Sequence, residues 1–203
     1  MEKIEQGSEE WFAQRLGKVT ASRISDVLAT IKSGEALVRR NYRTQLVSER
    51  LTGQRTETYV NSAMQWGTDT EPMARDAYIF KYADVEEVAM IQHPTIEMAG
   101  ASPDGLVGSD GLIEIKCPQN NTHTSTLMSQ QVPSKYINQI QWQLCCTERK
   151  WCDFVSYSPN FPSNLQMFVK RVERDEELIN RLEMEVKKFL TEVEDCVNFL
   201  KEN

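Results

Sequence analysis

The chain has 203 residues, 40% of them apolar and 26% charged, a balance that fits one globular domain spanning residues 1–203 with a core of its own. It has no long apolar run and no signal-peptide pattern, so membrane insertion and secretion are not expected and a cytoplasmic place is. The net charge of −7 argues against a uniformly basic surface, but it is unevenly spread: Arg39, Arg40, Arg43, Arg50 and Arg55 lie early, whereas Glu173, Asp175, Glu176, Glu177, Glu183, Glu185, Glu192, Glu194 and Asp195 crowd the C-terminal stretch.

Such a bipolar chain can still present a basic face to a polyanion, or its arginines can simply solvate a helix. In chain order, Ser8 ahead of Glu9, Glu10 and Trp11 caps a short helix that ends near Gly17. Thr20 or Ser22 caps a second helix through Leu28, and a third covers Ala36 to Leu51. Another runs from Thr70 to Tyr82, with Pro72 accommodated in its first turn. Strand patterns follow at Val85 to Gln92, Thr95 to Ala99, Asp104 to Val107 and Leu112 to Cys117. Ser134 to Thr147 reads as helix, Trp151 to Tyr157 and Leu165 to Val172 as strands, and about residues 175–201 as a long amphipathic helix. This order predicts an α/β fold, a central mixed β-sheet flanked by helices, with no linker dividing it.

Five cysteines (Cys117, Cys145, Cys146, Cys152 and Cys196) have irregular spacing and no CxxC pair, and His93 and His123 are the imidazoles. That spacing gives no zinc or iron–sulfur site, so reduced, structural thiols are expected.

The strongest chemical signal lies between Ser102 and Pro118. Leu112 to Cys117 alternates so that Ile113 and Ile115 share one strand face, and Glu114 and Lys116 the other. Ser109, Asp110 and Gly111 form a tight turn that folds Asp104 back beside Glu114 and Lys116. Two carboxylates can hold a hard divalent cation, and an ammonium beside them can stabilise charge or help deprotonate water, which suits phosphodiester cleavage. The same spacing also describes a solvated hairpin with a charged edge.

The string Ser102, Pro103, Asp104, Gly105, Leu106 with Glu114, Ile115, Lys116, Cys117, Pro118 resembles the phage lambda exonuclease and YqaJ-like viral recombinase family. That family lies within the restriction-endonuclease-like, or PD-(D/E)xK, nuclease superfamily. The resemblance runs from about Gln6 to Tyr157 and excludes the C-terminal helix. It implies a restriction-endonuclease-like core and a 5′-to-3′ exonuclease that degrades one strand of duplex DNA from 5′-phosphorylated ends, leaving 3′ single-stranded overhangs. Asp104, Glu114 and the main-chain carbonyl of Ile115 would hold Mg²⁺, with Mn²⁺ a substitute, and Lys116 would position or activate water. Glu71, after Trp66 and Gly67, is the implied third acid; alone it reads as an acid at a helix start. Gln139 is implied to close the site, with Tyr136 and Gln141 as weaker neighbours. By spacing alone, Tyr136, Gln139 and Gln143 make a polar helix face.

The string Trp11, Arg15, Leu16, Gly17 with Thr20, Ala21, Ser22 also resembles the family, in which the arginine and serine hold the DNA 5′-phosphate. An arginine fork with a hydroxyl at a helix start is independently a good anion pocket. Lys32 falls where relatives place a basic loop, Met64 near an apolar wedge, and Thr20, Ser102 and Tyr136 among DNA contacts. A homotrimer around DNA and a single-strand annealing protein as partner are further implications. An endonuclease on the same core and a non-catalytic DNA-binding recombination scaffold are the alternatives.

Overall fold

The computed structural model describes residues 4–57, 59 and 61–203. Helix α1 (Glu9–Arg15) starts where the Ser8 hydroxyl accepts from the Trp11 amide, with Glu9 and Glu10 in the first turn, where acids suit the positive helix end. Gly17 follows in left-handed backbone at φ +67°, and a Cβ there would lie 2.8 Å from Arg50 Cγ. Its amide donates to Glu49 and its carbonyl accepts from Arg50, so the turn is clamped to α3 (Leu37–Thr52).

Between them lie β1 (Val19–Thr20), a 3-10 turn (Ala21–Arg23) and α2 (Ile24–Val27). The second helix is therefore shorter than expected, and no side-chain cap starts it. Thr20 is instead extended, pairing with Gly100 while its amide donates to the Tyr42 hydroxyl.

Helix α4 (Ser62–Lys81) begins well before the predicted Thr70, because the Asn61 side chain accepts from the Met64 amide and caps it there. Pro72 consequently sits inside the helix rather than in its first turn, and it can donate no bond to the preceding turn. The expected strands before Asp104 shrink to β2 (Ile91–Gln92) and β3 (Ala99–Ala101), with Glu86 making an isolated bridge to Leu106. His93 Nδ1 accepts from the amides of Thr95 and Ile96, consuming donors that a strand at Thr95 would use.

Next come β4 (Gly105–Val107), β5 (Gly111–Lys116), α5 (Asn120–Ser129), α6 (Ile137–Thr147), β6 (Trp151–Tyr157), β7 (Met167–Glu173) and α7 (Glu176–Glu202). Helix α5 has no counterpart among the sequence expectations: its Asn, Thr and Ser residues hide the apolar period, and it buries His123 and Thr126.

The architecture is a mixed α/β fold with two mixed sheets, not the one central sheet expected. One has the order β1-β3-β2, the other β4-β5-β6-β7, with β5 and β6 parallel. The break falls at Ser102 to Asp104. Pro103 has no N–H, its carbonyl accepts from the Gln6 side chain, and the Ile115 amide donates to the Asp104 carboxylate rather than to a strand partner.

Strand β5 is covered on both faces. Ile113 and Ile115 pack with Ala74 and Tyr78 of α4, and Leu112 packs with Ile140 and Leu144 of α6. A third cluster joins α2, α3, α6 and α7 around Trp142 and Phe189. Buried Asp153 on β6 accepts from the Tyr78 hydroxyl at 2.8 Å and from Arg171 at 2.8 and 2.9 Å, tying α4 to the sheet.

The charge asymmetry is largely spent internally. Arg39 and Arg43 pair with Glu35 and Glu192, and Arg50 with Glu194, so the early basic stretch binds the acidic α7; Arg40 and Arg55 make no ion pair among the described residues. Among the described residues, no helix is long and apolar enough to cross a membrane.

Candidate active site

Strand β5 places Glu114 on the α6 face, beside Leu112, where it is fully buried. A buried carboxylate is costly unless paired and hydrogen-bonded. Here Gln139 Nε2 donates to Oε1 at 2.5 Å, Gln143 Nε2 donates to Oε2 at 2.6 Å, and the Lys116 ammonium forms an ion pair with it. The solvated hairpin is therefore ruled out: this acid is enclosed and served by three donors.

Asp104 lies just beyond the Gly105–Ile113 pair of the β4–β5 hairpin, and its Oδ2 accepts from the Ile115 amide at 2.5 Å. Burial and the charges of Glu114 and Glu71 push its carboxyl well above the ordinary aspartate range. Burial also raises Glu71, with the Arg75 charge opposing and Glu114 reinforcing it. For Lys116, burial pulls downward, but the charges of Glu114 and Asp104 win and hold the amine above the ordinary lysine range. It is thus an ammonium, a donor and counter-charge, and lies 5.3 Å from the ring centroid of Tyr136, which stacks on Phe154.

Glu71 sits in the body of α4 rather than at a helix start. Arg75, one turn on, meets it at 2.5 Å, donates to the Asp104 carbonyl at 3.2 Å and pairs with Glu87. Sequence reading passed over Arg75 and did not single out Gln143 beyond its helix face. Their signals were the four-residue spacings from Glu71 and from Gln139. Gln141 points elsewhere: it donates to the Glu173 carbonyl and accepts from the Asp175 amide, fixing the approach to α7.

The N-terminal residues gather at a second place. Arg15 lies over the Trp11 ring at 4.1 Å, and both donate to the Ser102 hydroxyl, at 3.1 and 3.0 Å. Ser102 thereby ties this group to the chain two residues before Asp104. Burial lowers the Arg15 guanidinium to about 10, still charged at neutral pH. Arg15, Thr20, Ser22 and Met64 line one cavity of about 500 Å³ with Arg23 and Arg55. Met64 is half-exposed there, not core. Lys32 is exposed in the loop between α2 and α3 and is brought to neither group.

The donor set suits a divalent cation. The Glu114 charge adds to the proton affinity of Asp104 and of Glu71, and hard oxygen ligands are what small, hard divalent cations take. A second cluster, His93, Cys145 and Glu183, has ligand-type atoms within 4.8 Å of one another. However, His93 Nδ1 accepts two backbone amides, so its proton sits on Nε2 and faces Glu183 at 3.1 Å. That nitrogen has no lone pair for a metal.

Residues 10–150 match the family model of the YqaJ-like viral recombinase domain. Among solved structures, the chain is 50% identical to LHK-Exo in complex with dAMP, covering 96% of this chain and 97% of that one, with a TM-score of 0.90. The same identity and coverage hold for the structure of an alkaline exonuclease, LHK-Exo, from Laribacter hongkongensis, at a TM-score of 0.88. A phage related exonuclease from Haemophilus somnus shares the fold at 16% identity, with 90% of this chain and 96% of that one covered and a TM-score of 0.71. An uncharacterized protein of Acanthamoeba polyphaga mimivirus is 26% identical over 181 residues, 82% of this chain; the chain spans 32% of that relative's length.

Proposed function

Because the chain belongs to the YqaJ-like viral recombinase domain family, we propose that it is an alkaline exonuclease of phage-type recombination. In this reading it is Mg²⁺-dependent, works 5′ to 3′ on duplex DNA ends and leaves 3′ overhangs. The observation that carries the proposal is the enclosed Asp104, Glu114, Lys116 group, with Gln139 and Gln143 on Glu114. We read the four-stranded sheet with α4 and α6 as a restriction-endonuclease-like core, and residues 1–203 as one nuclease unit.

Asp104, Glu114 and the Ile115 carbonyl would hold the cation, which when bound supplies Lewis acidity toward the phosphate and a more acidic water. The chain's own residues do the rest. Lys116, held protonated by its acids, donates toward the scissile phosphate and offsets charge that grows as water adds to phosphorus and the P–O bond breaks. Gln139, already fixed on Glu114, bounds the cleft with a neutral amide that can bond a water or phosphate oxygen without adding charge. Arg75 holds Glu71 against the Asp104 backbone, where Glu71 orients the attacking water. Arg15, with Ser22 in the same cavity, would retain the 5′-phosphate. The reading extends to a homotrimer around DNA and to a single-strand annealing protein as partner.

The test is Mg²⁺-dependent digestion of a linear duplex labelled separately at each 5′ and 3′ end, beside a closed circle, with wild type and Lys116→Ala. Release from the 5′-phosphorylated end, an untouched circle and an inactive variant are expected. Cutting of the circle would identify an endonuclease, and a wild type inactive on every substrate would leave a binding scaffold.

A further inference from the structure

The start of α4 and the segment that follows β5 line a cavity of about 350 Å³ through Ser62, Trp66, Gln119, Asn120, Asn121 and Asn160. Its size lies at the low end of ligand clefts, roughly 300–1,000 Å³. Among the described residues no cationic side chain lines it to balance a phosphate, and no carboxylate lines it to hold a cation. What it offers is an indole ring and a row of neutral amides.

One amide pair is held in place. Asn120 Oδ1 accepts from the hydroxyl of fully buried Ser158 at 3.1 Å and from Asn160 Nδ2 at 3.2 Å. Those bonds occupy the Asn120 oxygen and leave its N–H groups as donors, with the Asn160 oxygen as a neighbouring acceptor. A donor beside an acceptor, next to an aromatic ring, suits a planar heterocycle that carries both functions on its edge. A nucleobase is that group: bases stack on aromatic side chains and bond through their edges.

The position points the same way. Gln119 follows Lys116 by three residues, and Trp66 precedes Glu71 by five on α4, about 7.5 Å along the helix axis at 1.5 Å per residue and about 140° around it at 3.6 residues per turn. That axial offset is at most about two nucleotides, because an unpaired strand extends beyond the 3.4 Å per nucleotide of a stacked duplex strand. We propose that this cavity is a subsite for one unpaired nucleobase, on a nucleotide one or two positions from the scissile phosphate. It deepens the exonuclease reading and rests on it for the identity of the strand. Ring stacking accepts any base, so the subsite holds the strand without reading its sequence.

The test uses 5′-phosphorylated oligonucleotides with 2-aminopurine at the first, second or third nucleotide, bound without added divalent ion. Wild type is expected to quench one position selectively; Trp66→Leu loses that quenching and Asn120→Ala weakens binding about fivefold, a loss that shrinks on a strand abasic at that position. Trp66→Tyr, which keeps a stacking face, retains most of the quenching and keeps the test valid if the leucine variant fails to fold. In Mg²⁺, an abasic nucleotide at the quenched position slows wild type about tenfold and leaves Trp66→Leu unchanged relative to intact DNA. Equal quenching in wild type and a folded Trp66→Leu, or indifference of both binding and turnover to the missing base, would overturn the subsite. Absence of nucleotide release from any duplex would instead overturn the exonuclease reading, while the fluorescence arm still decides the subsite.

Discussion

Gln143 gives the sharpest test of how the buried acid is held. Its Nε2 donates to Glu114 Oε2 at 2.6 Å, both residues are fully buried, and its own Oε1 has no partner among the described residues. Gln143→Leu therefore does two opposed things. It removes a hydrogen bond to a charged group, which costs about 1.5–3 kcal/mol, and it relieves an unpaired buried oxygen, which returns about 1–3 kcal/mol. The single variant should thus lie near neutral in stability, between about 1.5 kcal/mol stabilising and about 2 kcal/mol destabilising by this difference. In a Glu114→Ala background the amide loses its Nε2 acceptor as well and is unpaired at both ends, and Gln143→Leu should be stabilising by about 1–3 kcal/mol. The double-mutant cycle, read from urea unfolding without divalent ions, isolates a coupling of about 1.5–3 kcal/mol. A coupling below about 0.5 kcal/mol, the ordinary additivity error, would refute the view that Gln143 stabilises the buried charge.

Divalent cation should stabilise the protein at neutral pH, by about 2.7 kcal/mol at a hundredfold excess over its dissociation constant; calorimetry with Asp104→Asn should show most of the gain lost. Arg15→Ala should impair turnover of 5′-phosphorylated ends while cleavage of 5′-hydroxyl ends changes little, and an equal loss on both would remove the arginine from that role. Gly17→Ala, forced to φ +67° with its Cβ against Arg50, should lower stability by about 1–2 kcal/mol in thermal melts. Burial holds His93 below the ordinary histidine value, with Glu183, Glu148, Lys187 and Cys145 facing it and Trp142 stacked on it. The unfolded chain takes up a proton first as pH falls, so this contribution is complete above about pH 6.5 and is lost through the window below it. Stability against pH should flatten there in His93→Gln, and an unchanged slope would assign the dependence elsewhere.

Much of the site was legible because its parts are close in sequence. The Asp104 to Lys116 hairpin is a local feature: alternation fixes which side chains share a face, and the turn fixes their pairing. Gln139 was reached through a family string, and its fourth-residue neighbour Gln143 was visible only as helix-face polarity. Periodicity located most of the helices, but it missed α5, whose polar residues carry no stripe, and misplaced the start of α4, where one Asn61 cap decided the boundary. The expected single sheet failed at Pro103 and Asp104, where a missing amide and a side-chain acceptor end the ladder.

What the sequence determined by itself was the local chemistry: an acid, an acid and an amine set on one hairpin, an arginine and a hydroxyl near the N-terminus, and thiols without metal spacing. The tertiary structure decided which charges remain available. It neutralised Arg39 and Arg43 against Glu192, 149 or more residues away, and buried Glu114 beneath two glutamines of α6. Through Ser102 it also joined Arg15 to the segment that carries Asp104. Desolvation and pairing depend on neighbours distant in the chain, so the charge a side chain presents, and its proton affinity, become fixed only when those neighbours pack against it.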